Sequence, residues 1–307
     1  MKLRGFGALL ALSAVLATVA LVTPFSANAR KATTPKRLKK VLVVTVTKGF
    51  RHDSIPVAEM VIKQLGDTTK AWETDYVRTD ADIQEKMTAQ ALKQYDALIF
   101  ANTTGVLPLP EPQALLDYIK SGKGFVAMHS GSDTFHEWPG SQEKVSPYIK
   151  MLGGEFKTHG RQCAIEAFIA DDKHPALRDV AEVGKAFSPA TAGNVNLEKN
   201  TSPEGGIWNA FDEIYILQNV DRENLHLLLW LDKHPNDGSK EANQPGEHLI
   251  SWCRAYGKGR VFYTSLGHRK EMWMDKNYQN HIIGGIKFAI GTAKGSTTPT
   301  PLTKASQ

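Results

Sequence analysis

The run Val41–Thr47 (VLVVTVT) is apolar or β-branched at every position, with no alternation between wet and dry faces. Such a strand must be covered on both sides, and the usual solution is a parallel sheet flanked by helices. The same theme recurs along the chain. Asp53 and Ser54 are helix N-cap candidates, Pro56 suits the first turn, and Val57, Val61, Ile62 and Leu65 recur at helical spacing as far as Gly66. Trp72–Arg78 predicts a second strand and Asp96–Ala101 (DALIFA) a third. Pro110–Ser121 predicts a helix with Leu115, Leu116 and Ile119 on one face and Gly122 as its C-cap; Gly124–Met128 (GFVAM) predicts a fourth strand. This order, with short connections, implies an α/β domain with a mostly parallel central sheet. Further on, Gln162–Ile169, His226–Leu231 and Arg260–Ser265 predict strands, and Tyr278–Ile290 a closing helix. Ser188–Phe211 has little periodicity and many Gly, Asn, Pro and Ser residues, which predicts a long loop.

The two ends differ from this body. Lys2 and Arg4 precede an apolar run from Gly5 to Val22, and Ala27-Asn28-Ala29 offers the small-x-small pattern of a signal-peptidase site. Residues 1–29 are therefore expected to be a signal peptide, 30–40 a basic flexible lead-in, 41–292 the folded domain and 293–307 a disordered tail. The apolar run is short for a span, so cleavage and a secreted or periplasmic protein with no stable membrane insertion are expected. Ten of the 37 Lys and Arg residues fall in the end segments, where there is no acidic residue, so the body holds all 32 acidic residues and is net acidic. That charge distribution argues against nucleic acid as a partner. Cys163 and Cys253 fall in probable strands; in an oxidising compartment they could form one bridge, the other reading is two buried free thiols, and neither is expected to do chemistry.

In an open parallel sheet, ligands bind beyond the carboxyl ends of the strands. The segments after strands one, three and four and after Arg260–Ser265 are Lys48–Ser54, Asn102–Gly105, His129–Asp133 and Leu266–Arg269. Three of the four carry a histidine: His52, His129 and His268. In the turn Ala127-Met128-His129-Ser130-Gly131 the small residues two before and two after His129 satisfy the demand of a sharp strand-to-helix elbow. Framing the elbow on Ser130 puts Met128 in a small-residue slot, and neither cysteine is near. No short-range ligand pair marks a metal site; a divalent metal, if one binds, falls to His52, His129 and His268 from distant loops. His174, His234 and His248 are expected to be structural.

Several stretches together are similar to the ThuA-like (trehalose-utilisation) family: Thr47–Ile55, Val126–Asp133, Leu152–Phe156 with His159, His174–Leu177, Asp212–Tyr215, Trp252, and Tyr256–His268. The resemblance runs from about Val41 to Gly291. It implies a flavodoxin-like three-layer sandwich of the class I glutamine amidotransferase-like kind, and a link to sugar metabolism. Those amidotransferases carry Cys where this chain has His129, so glutamine hydrolysis by their mechanism is not expected.

The expected function is that of an exported carbohydrate-active protein. It would be a hydrolase or lyase acting on a small-molecule sugar or oxidised (keto) sugar derivative through a His-rich pocket. His129, His52 and His268 are the candidate catalytic residues, since imidazole titrates near neutrality. Arg51, Asn102, Ser130, Asp133, His159, Glu213, Tyr215 and Trp252 are the candidate substrate-binding residues. The alternatives are a non-catalytic sugar-binding module, stacking sugars on Trp138, Trp252 and Trp273, and a structural domain of a secreted assembly. If the leader is cleaved after Ala29, mass spectrometry of the exported protein reads Arg30 as its first residue; an intact Met1 form in the membrane fraction overturns that expectation.

Overall fold

The computed structural model describes Met1, residues 37–180 and residues 206–301. The expected signal peptide, and residues 181–205 of the expected long loop, lie outside the described residues. Leu38 onward forms one compact unit. In chain order its elements are β1 (Lys39–Val44), α1 (Ile55–Thr69), β2 (Trp72–Val77), α2 (Asp80–Lys86), α3 (Ala89–Leu92), β3 (Ala97–Ala101), α4 (Pro112–Lys120), β4 (Gly124–Met128), α5 (Pro147–Leu152), β5 (Glu155–His159), β6 (Cys163–Ile169), β7 (Ile207–Asp212), β8 (Tyr215–Gln218), β9 (His226–Lys233), β10 (Pro245–Tyr256), β11 (Gly259–Thr264), α6 (Lys270–Met274) and α7 (Lys276–Ala289). No described helix is long and apolar enough to cross a membrane.

Nine strands form one sheet in the order β2-β1-β3-β4-β11-β10-β9-β6-β7. From β2 to β11 neighbours run parallel. From β11 to β7 they run antiparallel. The parallel block is the one the sequence predicts. Its strands are buried throughout β3 and β4 and along β1 from Val41 on, as a sheet clad on both faces requires. Val41 and Val43 face one apolar cluster, with Ala58, Val61 and Ile62 of α1 and Ile282 and Ile286 of α7. Leu42 and Val44 face another, with Leu115, Leu116 and Ile119 of α4 and Ile149 and Leu152 of α5. Successive side chains of a strand point to opposite faces, so one short run supplies both cores.

Among the departures from the sequence expectation, three bear on the fold's edge and core. First, Ile207–Phe211, inside the segment expected to be a loop, is most of strand β7, paired with β6. Second, β10 extends well beyond the strand expected around Cys253, and its length has no sequence signature. Its residues Leu249–Cys253 are all buried because the strand is central, and register shifts along its pairing with β9 break any period of two. Third, the tail from Ala293 to Pro301 is held against the domain. At the start of β9 the outer backbone groups of Leu225 and Leu227 meet no neighbouring strand among the described residues. Thr300 fills that place, its N–H donating to Leu225 O (2.9 Å) and its hydroxyl accepting from Leu227 N (2.9 Å). Thr298 O bonds His226 Nδ1, Ser296 O accepts from the Cys253 thiol, and Arg222 donates to Thr300 O (2.8 Å) and Pro301 O (3.2 Å). Composition predicts disorder here, but an unpaired backbone edge at Leu225 (0 % exposed) needs a partner, and the tail supplies it. Cys163 and Cys253 are free thiols, and burial raises the pKa of each, Cys163 to about 12.

Removing residues 294–307 should therefore lower stability by about 2 kcal/mol or more, since buried partners are left unsatisfied. Thermal melts of the truncated and full chains check this; equal melting temperatures would mean that the tail contacts contribute nothing.

Candidate active site

The parallel strands end on one rim, and the four segments predicted to converge there do so. β4 delivers His129 directly. Its backbone turns into the left-handed region (φ 49°), a conformation non-glycine residues rarely adopt, and a short 3-10 turn follows through Asp133. Surrounding bonds hold this turn: the hydroxyl of Tyr263 donates to His129 O (3.0 Å) and that of Tyr148 to Gly131 O (2.7 Å). The small residues of the elbow are needed sterically, because a Cβ on Gly131 would sit 2.8 Å from that of Ala127.

His129 is fully buried, and Nδ1 lies 2.7 Å from Ser265 O at the end of β11. A carbonyl oxygen only accepts, so Nδ1 carries the proton and Nε2 presents a lone pair. Around that lone pair stand His52 Nε2 at 3.1 Å, His268 Nδ1 at 3.2 Å, the Tyr215 hydroxyl at 2.9 Å and Glu213 Oε2 at 3.6 Å. Glu213 Oε2 is also 3.4 Å from His268 Nδ1, and its other oxygen is 3.1 Å from His159 Nδ1. Ser130 Oγ, 3.4 Å from His52 Nδ1, orients the second ring.

The loop carrying His268 has no regular structure, so its backbone groups are satisfied by side chains. Asp212, fully buried, accepts from the N–H groups of Gly267 (2.6 Å), His268 (3.3 Å) and Arg269 (3.2 Å). On the carbonyl side, Trp273 Nε1 (2.8 Å) and Asn102 Nδ2 (3.0 Å) donate to Gly267 O, and the Tyr278 hydroxyl (3.0 Å) to Leu266 O. Burial raises the Asp212 pKa to about 6, while the Gly267, Glu213 and Arg269 N–H groups oppose the rise, so the group is an anion at neutral pH.

Burial, reinforced by the charge on His268, lowers the His52 pKa to about 4. Burial and then His52 hold His129 well below the ordinary imidazole range. Both rings are neutral at pH 7. For His268 burial acts the same way, but the hydrogen bond and charge of Glu213 outweigh it, and its pKa is raised. Burial keeps the Tyr215 phenol protonated.

One donor atom from each of His52, His129, His268 and Glu213 lies within 4.8 Å of the others. A tetrahedral ion with bonds of about 2.0–2.1 Å sets its ligands roughly 3.3 Å apart. The separations of 3.1, 3.2, 3.4 and 3.6 Å match that cage. Each of three ligands also has an outer partner (Ser265 O for His129, Ser130 Oγ for His52, His159 for Glu213), as metal-binding imidazoles and carboxylates usually do. The residues thus fit a divalent ion such as Zn²⁺, which sequence spacing alone does not suggest.

Of the residues singled out from sequence, His52, His129, His268, Glu213 and Tyr215 come together, with Ser130 and His159 directly behind them. Others do not join. Trp252 is fully buried, its Nε1 donating to Leu152 O (2.9 Å), because β10 is an interior strand. Asn102 is also fully buried, with φ 56°, and its amide bonds Ser54 Oγ and Gly267 O; it positions loops and is closed to substrate. Arg51 is exposed and donates to Thr45 O (3.2 Å). Asp133 is engaged by His136 Nε2 (2.7 Å), whose Nδ1 meets Glu155. The Asp133 hydrogen bond, helped by Glu155, raises the His136 pKa to about 9. The stacking aromatics required by a sugar-binding module are not supplied by the three tryptophans expected to do so, since Trp138 and Trp273 are buried too. Phe50, exposed and 4.8 Å from the His52 ring, is the aromatic at the rim. Asp212 and Phe50 escape sequence reasoning as functional residues: one acts through backbone N–H groups, and the other is an ordinary loop residue until the loop is placed.

His52→Asn, His129→Asn and His268→Asn should each remain folded and lose the Zn²⁺ equivalent held by this cage, as measured by elemental analysis beside thermal melts. Because protons compete for the imidazole lone pairs, and Glu213 raises the His268 pKa above the ordinary imidazole value, Zn²⁺ affinity should rise as the pH rises through that raised pKa, with proton release. Unchanged metal content in all three variants would overturn the cage.

The sequence model of the ThuA family, described as trehalose utilisation, matches residues 40–289. Among solved structures, a ThuA-like protein from Parabacteroides merdae ATCC 43184 superposes with a TM-score of 0.62 at 16% identity, covering 88% of this chain and 95% of that one. Another from Bacteroides uniformis ATCC 8492 superposes with a TM-score of 0.60 at 17% identity, covering 87% and 98%. At these identities the likeness is one of fold. None of the curated proteins matches the chain. With the family model spanning nearly all of the folded unit, the chain belongs to the ThuA (trehalose-utilisation) family.

Proposed function

We propose that this protein is an exported, metal-dependent carbohydrate-active enzyme, a hydrolase or lyase acting on a sugar or oxidised (keto) sugar derivative. The observation that carries the reading is the convergence of three imidazoles and a carboxylate on one point, with the His129 lone pair fixed by its bond to Ser265 O. The family description supplies the carbohydrate link. The leader, Lys2 to Ala29, supports the secreted or periplasmic location.

His52, His129, His268 and Glu213 would hold a divalent ion, which when bound would supply Lewis acidity toward a hydroxyl or carbonyl oxygen of the sugar. The chain's own groups do the rest. Asp212 holds the His268 backbone, and the Ser265 carbonyl holds the His129 tautomer, so neither ring reorganises during the reaction. The Tyr215 hydroxyl, 2.9 Å from His129 Nε2 and kept protonated by burial, donates a proton or hydrogen bond to oxygen. His159, 44% exposed at its side chain and 3.1 Å from Glu213, links the site to solvent. A cage this rigid and buried favours catalysis over the sugar-binding module, which needs exposed stacking surfaces.

The test is a screen of mature protein against disaccharides, glycosides and 3-keto sugars, with and without Zn²⁺, Mn²⁺ or Mg²⁺, read by product formation. Turnover should require the metal, fall by roughly 10²–10⁴-fold in Tyr215→Phe if proton donation is general-acid catalysis, and vanish in His129→Asn. Saturable sugar binding without turnover under every metal condition would transfer the assignment to the binding module.

A further inference from the structure

A second group of donors lies in the connection between β9 and β10, separate from the His129 cage. One donor atom from each of His234, Glu241 and His248 lies within 4.8 Å of the others, and the two imidazole rings are 5.1 Å apart between centroids. Sequence spacing gives no hint of it: the residues are seven apart, and both histidines read as structural. The fold brings them together because the loop closes on itself. His234 N donates to Gln244 O (2.9 Å) and Asn243 N donates back to His234 O (3.0 Å), which pins the two strand ends side by side. His248 then sits on β10 opposite Leu231 of β9.

The hydrogen bonds of the two rings are of one kind. His234 Nε2 lies 2.9 Å from Asp237 Oδ2, and His248 Nε2 lies 3.0 Å from Gln244 O. In each case Nε2–H faces an acceptor, so the lone pair of the neutral ring is on Nδ1. A ring N–H directed at a carboxylate or a carbonyl is the usual support for a metal-binding histidine. Asp237 is itself fixed: it is 1 % exposed, it accepts from Ser239 N (2.9 Å), and its carbonyl accepts from Arg161 N (2.8 Å). The independent sign of a missing ligand is on His234. That residue is 0 % exposed, and its Nδ1 is a buried nitrogen with no hydrogen-bond partner among the described residues. Buried polar atoms are almost always satisfied, and an orphan calls for an ion or another ligand.

We propose that His234 Nδ1, His248 Nδ1 and a carboxylate oxygen of Glu241 form a second divalent-cation site. Two imidazoles and one carboxylate suit Zn²⁺ or a similar transition ion over Mg²⁺ or Ca²⁺, which take oxygen ligands. Glu241 and His248 also line a cavity shared with Arg222, Glu247 and Tyr215, the residue whose hydroxyl reaches His129. An ion there ties the β9–β10 loop to the wall of that cavity. The proposal stands on its own geometry and does not depend on the reading of the first site.

The test uses the full mature chain, stripped with chelator and titrated with Zn²⁺ alone. Calorimetry and elemental analysis should give two equivalents for wild type and one for His52→Asn. His248→Gln, whose side chain is partly exposed and whose loss leaves the Asp237–His234 bond intact, should also give one. The double variant should give none. In His52→Asn, saturating Zn²⁺ should raise the melting temperature by several degrees, and in the double variant it should not, since a ligand stabilises only a fold that binds it. Glu241→Gln, at a solvent-accessible position, should weaken this second equivalent by at least tenfold. Two equivalents retained in His248→Gln, or only one in wild type and none in His52→Asn, would overturn the second site; the latter result would leave the first site intact. Metal-dependent turnover in His248→Gln, if the proposed function holds, tracks the first site alone.

Discussion

The hydrogen bond from His129 Nδ1 to Ser265 O organises the centre of this protein. It joins the end of β4 to the end of β11, neighbouring parallel strands, and in doing so it decides which nitrogen of His129 is left to act. His129 makes this bond from a backbone in the left-handed region (φ 49°). That backbone state is costly for a residue with a Cβ. It is held by the Tyr263 and Tyr148 hydroxyls and by the close approach of Gly131 to Ala127. The strain, the small residues and the buried phenols all serve one fixed lone pair.

The same logic extends to the loops around it. Irregular backbone at the end of a buried sheet must find partners for its N–H and carbonyl groups. Asp212 satisfies the N–H groups of the His268 loop, while Asn102, Trp273 and Tyr278 satisfy its carbonyls. These residues are buried behind the cage, and their bonds fix the position of the His268 loop. A buried carboxylate that accepts several backbone N–H groups can remain an anion without a Lys or Arg side chain bonded to it, and Asp212 is held in that way. Glu213, the next residue, points the other way and meets His129, His268 and His159. Two adjacent acids thus divide the work between shaping the loop and supplying a donor.

Much of this is written in the chain. The run Val41–Thr47 specifies a doubly covered strand, and the β-α alternation after it specifies a parallel block whose carboxyl ends share a rim. Given that rim, His52, His129 and His268 can be named from sequence, because each lies in the segment that follows a parallel strand. The elbow too is legible, since Ala127 and Gly131 are small for a steric reason. The ThuA-like motifs carry Glu213 and Tyr215 into the same group.

What the sequence could not decide depends on contacts between residues far apart in the chain. The burial of Trp252 and Asn102 follows from β10 and β3 being interior strands, and β10 hides its period behind register shifts and uniform burial. The order of the tail depends on an unpaired backbone at Leu225, which composition cannot reveal. The cage of three histidines and Glu213 has no ligand spacing, since its members come from four loops and converge only when the sheet is built. The identity of the parallel strands is set by side-chain pattern along a few residues, and so those strands can be read one segment at a time. A set of donors a few ångströms apart is a property of tertiary packing, and it comes into being only when the strands are side by side.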